Sequence, residues 1–216
     1  MTLPDFDAAY RGSSIAEGVT TVPWNIGEPQ PAIAALVDAG RVASPVLDAG
    51  CGIGATTIAL TQRGYEAVGI DLSDSAVARA RDDAAAAGLG PEFAVADVST
   101  FTGYDGRFAT VIDSTLFHSM PVEARPGYAA STARASRPGA TLIVLAFDVS
   151  APFPEEVRPN CVTAAELAAA VAPHWTVDSV EPSTIRAFTP PDWGELPEDD
   201  AGRRVFPAHL LLAHRG

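Results

Sequence analysis

The sequence predicts a doubly wound α/β fold, with a mostly parallel seven-stranded sheet that ends in an antiparallel C-terminal hairpin. Three observations predict it. From about residue 45 onward, short apolar runs alternate with helical segments, the pattern of strands joined by crossover helices. A glycine-rich turn follows the first run and opens the first helix of that series, in "VLDAGCGIGATTIAL". The last two strand-like runs are joined without room for a crossover helix, so they are expected to pair antiparallel.

The elements follow in order. "PAIAALVDAG" reads as a helix from about Pro31 to Ala39, with Pro31 at an early helical position and Gly40 as its stop. "SPVLDAG" is a buried strand, "ATTIALTQR" a helix and "YEAVGIDLS" the second strand. Ser73 caps the next helix through "DSAVARARDDAAAA", and Asp74 favours its first turn. "PEFAVADV" and "RFATVIDST" are strands three and four, and "ARPGYAASTARAS" is a helix. "GATLIVLAF" is a fifth strand of the continuous apolar kind. In "TAAELAAAV", Thr163 and Glu166 stand in a capping-box relation. "WTVDSVEPSTIRAF" and "RVFPAHLLLAHR" form the closing pair, and the polar, Pro-rich residues near 188–204 between them read as a lid or a surface insert.

Composition narrows the function. With 216 residues, 47% of them hydrophobic, the chain reads as one domain. A formal net charge of -13 repels nucleic acid, and no local basic patch offsets it. All fourteen basic residues are Arg, which excludes a lysine Schiff base and a P-loop lysine. No window of about 18 apolar residues suggests a membrane span, and the first residues resemble no signal peptide. The chain is therefore expected in the cytoplasm. Cys51 and Cys161 are too few for a disulfide framework, and the four histidines are scattered, so no metal is expected. Oligomeric state is open between monomer and loose homodimer.

The glycine loop fits two cofactors. Gly50, Gly52 and Ala55 make a G-x-G-x-x-A dinucleotide fingerprint. Asp48, Gly50, Gly52 and Gly54 make D-x-G-x-G-x-G, common in enzymes that bind S-adenosylmethionine. Asp71, 19 residues after Gly52, suits the ribose hydroxyls of either, or a helix start. Asp48 discriminates better: a carboxylate entering an apolar strand needs a partner, which an ammonium supplies and a pyrophosphate does not. Local backbone amides could also satisfy it. Asp97 ends strand three, where it can accept from an adenine amine while the Val98 amide meets a ring nitrogen, unless it serves as a strand-end cap. Three acids at three successive strand ends favour the cationic sulfonium ligand.

These motifs, their order and the closing hairpin resemble the class I S-adenosylmethionine-dependent methyltransferases. More narrowly, "PWNIGEPQP", "VLDAGCG", "GIDLS", "VADVSTFTGYDGRF" and "VIDSTLFHSMP" resemble the mycobacterial heterocyclic toxin methyltransferases, relatives of the thiopurine methyltransferase group. The resemblance implies O-methylation of 1-hydroxyquinolin-4-ones, or of a hydroxyquinone, and a detoxifying role. It also implies that Trp24, within a covering segment over residues 1–40, lies across the cofactor bound by residues 41–216. On the same basis Gly50, Cys51 and Gly52 lie under the methionyl part. Asp71 holds ribose, Asp97 and Val98 meet adenine, and Leu72 and Ser114 are further expected cofactor contacts.

Methyl transfer is an in-line displacement that needs alignment and exclusion of water, and no metal. His118 is the expected general base, against a structural role, because it can change charge near neutral pH. Asp148, after strand five, is a second candidate, against a role in a turn. Trp24, Phe117, Met120, Phe147, Phe153 and Trp193 could wall a flat aromatic substrate. Tyr10 and Arg11 could anchor the methionyl carboxylate, although surface roles suit them better. The sequence leaves oxygen, nitrogen and sulfur nucleophiles open. A nicotinamide-dependent reductase and a non-catalytic S-adenosylmethionine sensor are the readings from other classes.

Overall fold

The structure, a computed structural model, describes Asp7, Tyr10, Arg11 and residues 22–190 and 193–216. Helix α1 (Pro31–Asp38) leads into strand β1 (Val46–Ala49), helix α2 (Ala55–Gln62), strand β2 (Ala67–Asp71) and helix α3 (Asp74–Ala86). Strands β3 (Glu92–Val95) and β4 (Phe108–Ser114) follow, then helix α4 (Arg125–Ala135) and strand β5 (Ser136–Phe147). Helix α5 (Ala164–Val171) and strands β6 (Thr176–Ala187) and β7 (Arg204–His214) complete the order. The seven strands are arranged β3-β2-β1-β4-β5-β7-β6. All neighbours are parallel except β7, which runs antiparallel to both β5 and β6. The predicted doubly wound sheet with a C-terminal hairpin is the observed one.

The continuous apolar runs arise because the central strands are covered on both faces. Along β5, Leu142, Val144 and Ala146 join one core with Leu47, Val111, Tyr128 and Leu167. The alternate residues Ile143, Leu145 and Phe147 join the other, with Ile33, Val46, Ile112 and Phe206. Period-two alternation thus divides one apolar strand between two cores. A third, smaller core packs Val77, Ala80 and Ala84 of α3 on Phe93.

Local signals act where the sequence places them. The Ser73 side chain accepts from the Ala76 amide at 3.0 Å, and Thr163 with Glu166 closes the capping box. Among the described residues no helix is long and apolar enough to cross a membrane.

Strand order reverses at β1. The chain leaves it outward to β2 and β3, then returns to β4 on its other side. Loops at the carboxyl ends of β1 and β4 therefore part in opposite directions, which opens a crevice between them. The cavity lies there.

The described residues of the 188–204 loop, read from the sequence as a lid or a surface insert, lie away from the cavity. They pack behind the sheet's aromatic core: Trp193 meets Phe153 edge-on, and Gly194 abuts Pro152. The same loop grips the lead-in. The Phe188 amide donates to the Pro23 carbonyl at 2.8 Å, and Arg203 pairs with Glu28 at 2.5 Å and Asp199 at 2.8 Å. Just before that loop, buried Gln30 both donates to and accepts from the Arg186 backbone at 2.8 Å. None of the described 188–204 residues lines the cavity.

Candidate active site

The cavity holds about 500 Å³ and collects residues from the lead-in, the glycine loop and the ends of β2, β3 and β4. The glycine loop is pinned to the neighbouring strand: the amides of Gly50 and Cys51 both donate to the Ile70 carbonyl, at 2.8 and 2.9 Å. The Gly52 amide donates to Asp71 Oδ2 at 2.8 Å, and Asp71 Oδ1 accepts from the Ser73 amide at 2.9 Å. One carboxylate therefore joins the loop after β1 to the start of α3.

Gly50 is required for steric as well as conformational reasons, and Gly52 chiefly for its conformation. Gly50 has φ 71°, and a Cβ there would stand 2.8 Å from the Leu116 side chain. Gly52 has φ 53°, and a Cβ there would lie 2.7 Å from the Tyr10 hydroxyl. Gly50→Ala is expected to weaken cofactor affinity at least about tenfold, because a left-handed alanine costs roughly 1 kcal/mol before Leu116 is displaced. Calorimetric titration checks this.

Asp48 is buried and lines the cavity wall. Its Oδ2 accepts from the Thr57 amide at 3.0 Å and the Thr57 hydroxyl at 2.6 Å. Burial pushes its carboxyl up to about 6, against the two Thr57 bonds and with a further push from Asp71. The backbone partner that the sequence left open is thus present, one turn into α2. Asp71 is also raised, first by burial, while amide bonds oppose the shift. Asp97 Oδ1 accepts from the amide and hydroxyl of Ser99, at 2.8 and 2.7 Å. Beside it Leu72 is 72% exposed, an apolar face left open at the cavity.

All ten residues expected to contact cofactor line this one cavity: Trp24, Asp48, Gly50, Cys51, Gly52, Asp71, Leu72, Asp97, Val98 and Ser114. Met120 joins them, as does Tyr10, which the sequence reading set at the surface. Burial, then the Asp71 charge, keeps the Tyr10 phenol protonated. Asn25, Glu28, Gln30 and Ser119 also line the cavity. They lie within "PWNIGEPQP" and "VIDSTLFHSMP", runs that carried the resemblance, but the sequence reading gave them no role of their own.

The two expected catalytic groups lie outside this cavity lining. His118 is buried, and its Nδ1 accepts from the Phe147 amide at 3.1 Å. Its ring packs on Phe147, with centroids 4.2 Å apart. Burial, aided by the positive charge of Arg125, drives its pKa down to about 3. A neutral ring that accepts a backbone bond outside the cavity holds β5 to the β4 loop. Asp148 also lies outside the cavity, 2.5 Å from His209 Nε2. Burial raises Asp148, but bonds from Ser150 and then His209 outweigh it and leave the carboxyl lowered. It ties β5 to β7.

Most of the expected aromatic wall also lies outside this lining. Phe117 is fully buried, edge-on to Tyr128 and under the Arg125 guanidinium. Phe153 stacks on Phe206 and meets Phe147, with Trp193 at its edge. Of the six proposed wall residues, Trp24 and Met120 reach the cavity.

Charge decides between the cofactors. Asp7, Glu28, Asp48, Asp71 and Asp97 line the cavity, and among the described residues no Arg, Lys or His does. Arg11 pairs with Asp7, and Arg203 with Glu28, from outside that lining. A pyrophosphate would face Asp48, Asp71 and Asp97 with no described cation in the lining, whereas a sulfonium and an ammonium would be stabilised by them. The site fits S-adenosylmethionine.

The comparisons agree. A family model described as a methyltransferase domain matches residues 46–139. The 2-heptyl-1-hydroxyquinolin-4(1H)-one methyltransferase of Mycobacteroides abscessus is 49% identical over 97% of this chain and 96% of its own length. This chain belongs to the class I S-adenosylmethionine-dependent methyltransferases.

Two solved structures resemble this methyltransferase. One, from work on converting a disulfide bond into a thioacetal group during echinomycin biosynthesis, is 34% identical. It covers 97% of this chain and 90% of its own, with a TM-score of 0.84. The other is the Burkholderia thailandensis 1,6-didemethyltoxoflavin-N1-methyltransferase with S-adenosylhomocysteine bound. At 24% identity, a TM-score of 0.63 and coverage of 86% and 76%, it supports the fold of the methyltransferase.

Proposed function

We propose that the enzyme O-methylates 1-hydroxyquinolin-4-ones, and so detoxifies them. The observation that carries this reading is the 49% identity, over nearly the whole of both chains, to a methyltransferase named for such a substrate. The cavity is compatible with it. Trp24, Leu116, Met120 and Pro121 supply apolar surface for a flat ring, close to the polar Ser114 and Ser119.

When bound, S-adenosylmethionine supplies an electrophilic methyl group on a sulfonium, open to in-line attack by an oxygen lone pair. The chain's residues then have three tasks. The glycine loop and Asp71 would hold the methionyl and ribose parts, and Leu72, Asp97 and Val98 the adenine. Trp24 and Tyr10, brought over the glycine loop by the lead-in, would exclude water from the reacting atoms. Ser114, Thr115 and Leu116, at the end of β4, would set the position of the acceptor oxygen.

No histidine is needed as a base in this scheme. An N-hydroxyl conjugated with a ring carbonyl is acidic, so its proton can pass to solvent before transfer. With no cation among the described lining residues, the anion's partner would be the positive charge of the cofactor itself, and alignment is the chain's task.

A turnover screen tests the assignment. The purified enzyme with S-adenosylmethionine is expected to convert 2-heptyl-1-hydroxyquinolin-4-one to a product one methyl heavier, with the methyl on the N-oxygen. Exclusive turnover of a thiol, ring nitrogen or hydroxyquinone would replace the proposed acceptor. Firm cofactor binding without turnover on any small aromatic would favour a sensor.

A further inference from the structure

One buried carboxylate beside the cavity has no place in the scheme above. Asp113 sits in β4, fully buried, and does not itself line the cavity. Its Oδ1 accepts from two successive amides, Leu116 at 2.9 Å and Phe117 at 3.1 Å. Its Oδ2 lies by the Tyr128 hydroxyl of α4, also fully buried, without closing a hydrogen bond of ordinary geometry. Among the described residues neither of these two atoms has another hydrogen-bond partner.

The segment that Asp113 holds is strained. Thr115 has φ 80°, and it alone among the described non-glycine residues has a positive φ. A β-branched side chain in that region costs of order 1–3 kcal/mol and persists only where its surroundings over-determine it. The surroundings here are specific. The Thr115 amide donates to the Leu145 carbonyl at 3.1 Å, the Ser119 hydroxyl to the Thr115 carbonyl at 3.1 Å, and the Ser119 amide to the Leu116 carbonyl at 2.7 Å. The two amide bonds to Asp113 hold the start of the turn, and Asn160 holds its far end, its amide donating to the His118 carbonyl at 2.8 Å and its side chain to the Met120 carbonyl at 2.9 Å. The turn's product is a reversal of facing: Ser114, Thr115, Leu116, Ser119 and Met120 line the cavity, while Phe117 and His118 are buried behind it. Leu116 also covers Gly50, close enough to leave no room for a Cβ, while the glycine loop itself is held from the other side by Ile70 and Asp71.

We propose that Asp113 is a positioning residue for methyl transfer, locking the 114–121 turn into the strained form that shapes the acceptor side of the cavity. Adenine and ribose depend on Asp71, Asp97 and Val98, which the turn does not hold. Loss of Asp113 should therefore disturb alignment of the acceptor far more than retention of the cofactor. The proposal rests on the methyl-transfer reading of the cavity, but its first test needs no turnover.

That test is amide hydrogen exchange at Leu116 and Phe117 in the whole chain, together with Asp113→Ala and Asp113→Asn. Asp113→Ala removes the shared acceptor and is expected to speed exchange at both amides at least about tenfold. Asp113→Asn keeps a carbonyl oxygen in the same place and is expected to preserve most of the protection. In turnover with 2-heptyl-1-hydroxyquinolin-4-one, Asp113→Ala is expected to lower kcat on the order of 100-fold, the scale of an ångström of misplacement. Its Kd for S-adenosylhomocysteine should stay within about threefold, and Asp113→Asn should recover most of kcat.

Unchanged exchange in Asp113→Ala overturns the proposal, as do parallel losses of kcat and cofactor affinity. An alanine variant that does not fold is replaced by Asp113→Leu, which fills the space but accepts no hydrogen bond. Unchanged exchange at both amides in that variant would then overturn it. A wild-type enzyme inactive on the quinolone would remove the proposed acceptor, while exchange would still decide the role of Asp113.

Discussion

Asp71→Ala is expected to raise the Kd for S-adenosylmethionine about 100-fold, near 3 kcal/mol, and to lower the melting temperature as well. Its carboxylate has two duties inside the protein before any ligand arrives: it accepts from Gly52 after β1 and from Ser73 before α3. Bonds to an ionised acceptor each contribute about 1.5–3 kcal/mol. Alanine removes both, frees the glycine loop at its middle, and deletes the oxygens expected to receive the ribose hydroxyls. Asp71→Asn should fall between, because one amide oxygen can serve only part of that set. Calorimetry with S-adenosylmethionine and S-adenosylhomocysteine should show both ligands weakened alike, since the two share the ribose. Wild-type affinity in Asp71→Ala would remove this residue from the cofactor site.

The second large effect concerns His118. A glutamine there should make the protein more resistant to acid than the wild type, without moving the pH dependence of kcat. In the folded chain burial, then Arg125, depresses the ring to about 3, well below the ordinary 6.5. A depressed pKa means that the unfolded chain binds the proton first. Stability is therefore fully present above about 6.5, and is lost as pH falls from there toward 3. At pH 4.5 the wild type should have lost about 3 kcal/mol through this residue alone, a loss that His118→Gln does not suffer. Denaturant titrations of both proteins from pH 7.5 to 4.5 measure the difference, after allowance for a constant cost of replacing the Phe147 contact. A general base would behave otherwise. Its removal would erase a limb of the kcat profile, and that outcome would return His118 to the chemistry.

The contrast between Asp71 and His118 shows how much of the site could be read in the residue order. Asp48, Asp71 and Asp97 stand at or just beyond strand ends, where period-two burial and the following glycine or cap leave little freedom. Their presence beside one crevice follows from the parallel order of the strands. His118 stands in an irregular turn, where no periodicity determines which way a side chain faces. That direction is set by the left-handed Thr115 and the two amide bonds to Asp113. Phe117 was lost to the core by the same turn. Phe147, Phe153 and Trp193 were lost by a different route, since the aromatic cluster with Phe206 takes them behind β5.

The sequence by itself determined the order of strands and helices, the parallel sheet with its antiparallel close, the loop that needs glycine, and a ring of acids suited to a cation. Each of these is a local property, set by alternation, capping or chain reversal within a few residues. Tertiary structure alone decided that Tyr10 lies over Gly52, that Gln30 pairs with the Arg186 backbone, and that Asp113 braces a turn rather than meeting a ligand. Those contacts join segments distant in the chain, or depend on a strained backbone that only surrounding packing can hold.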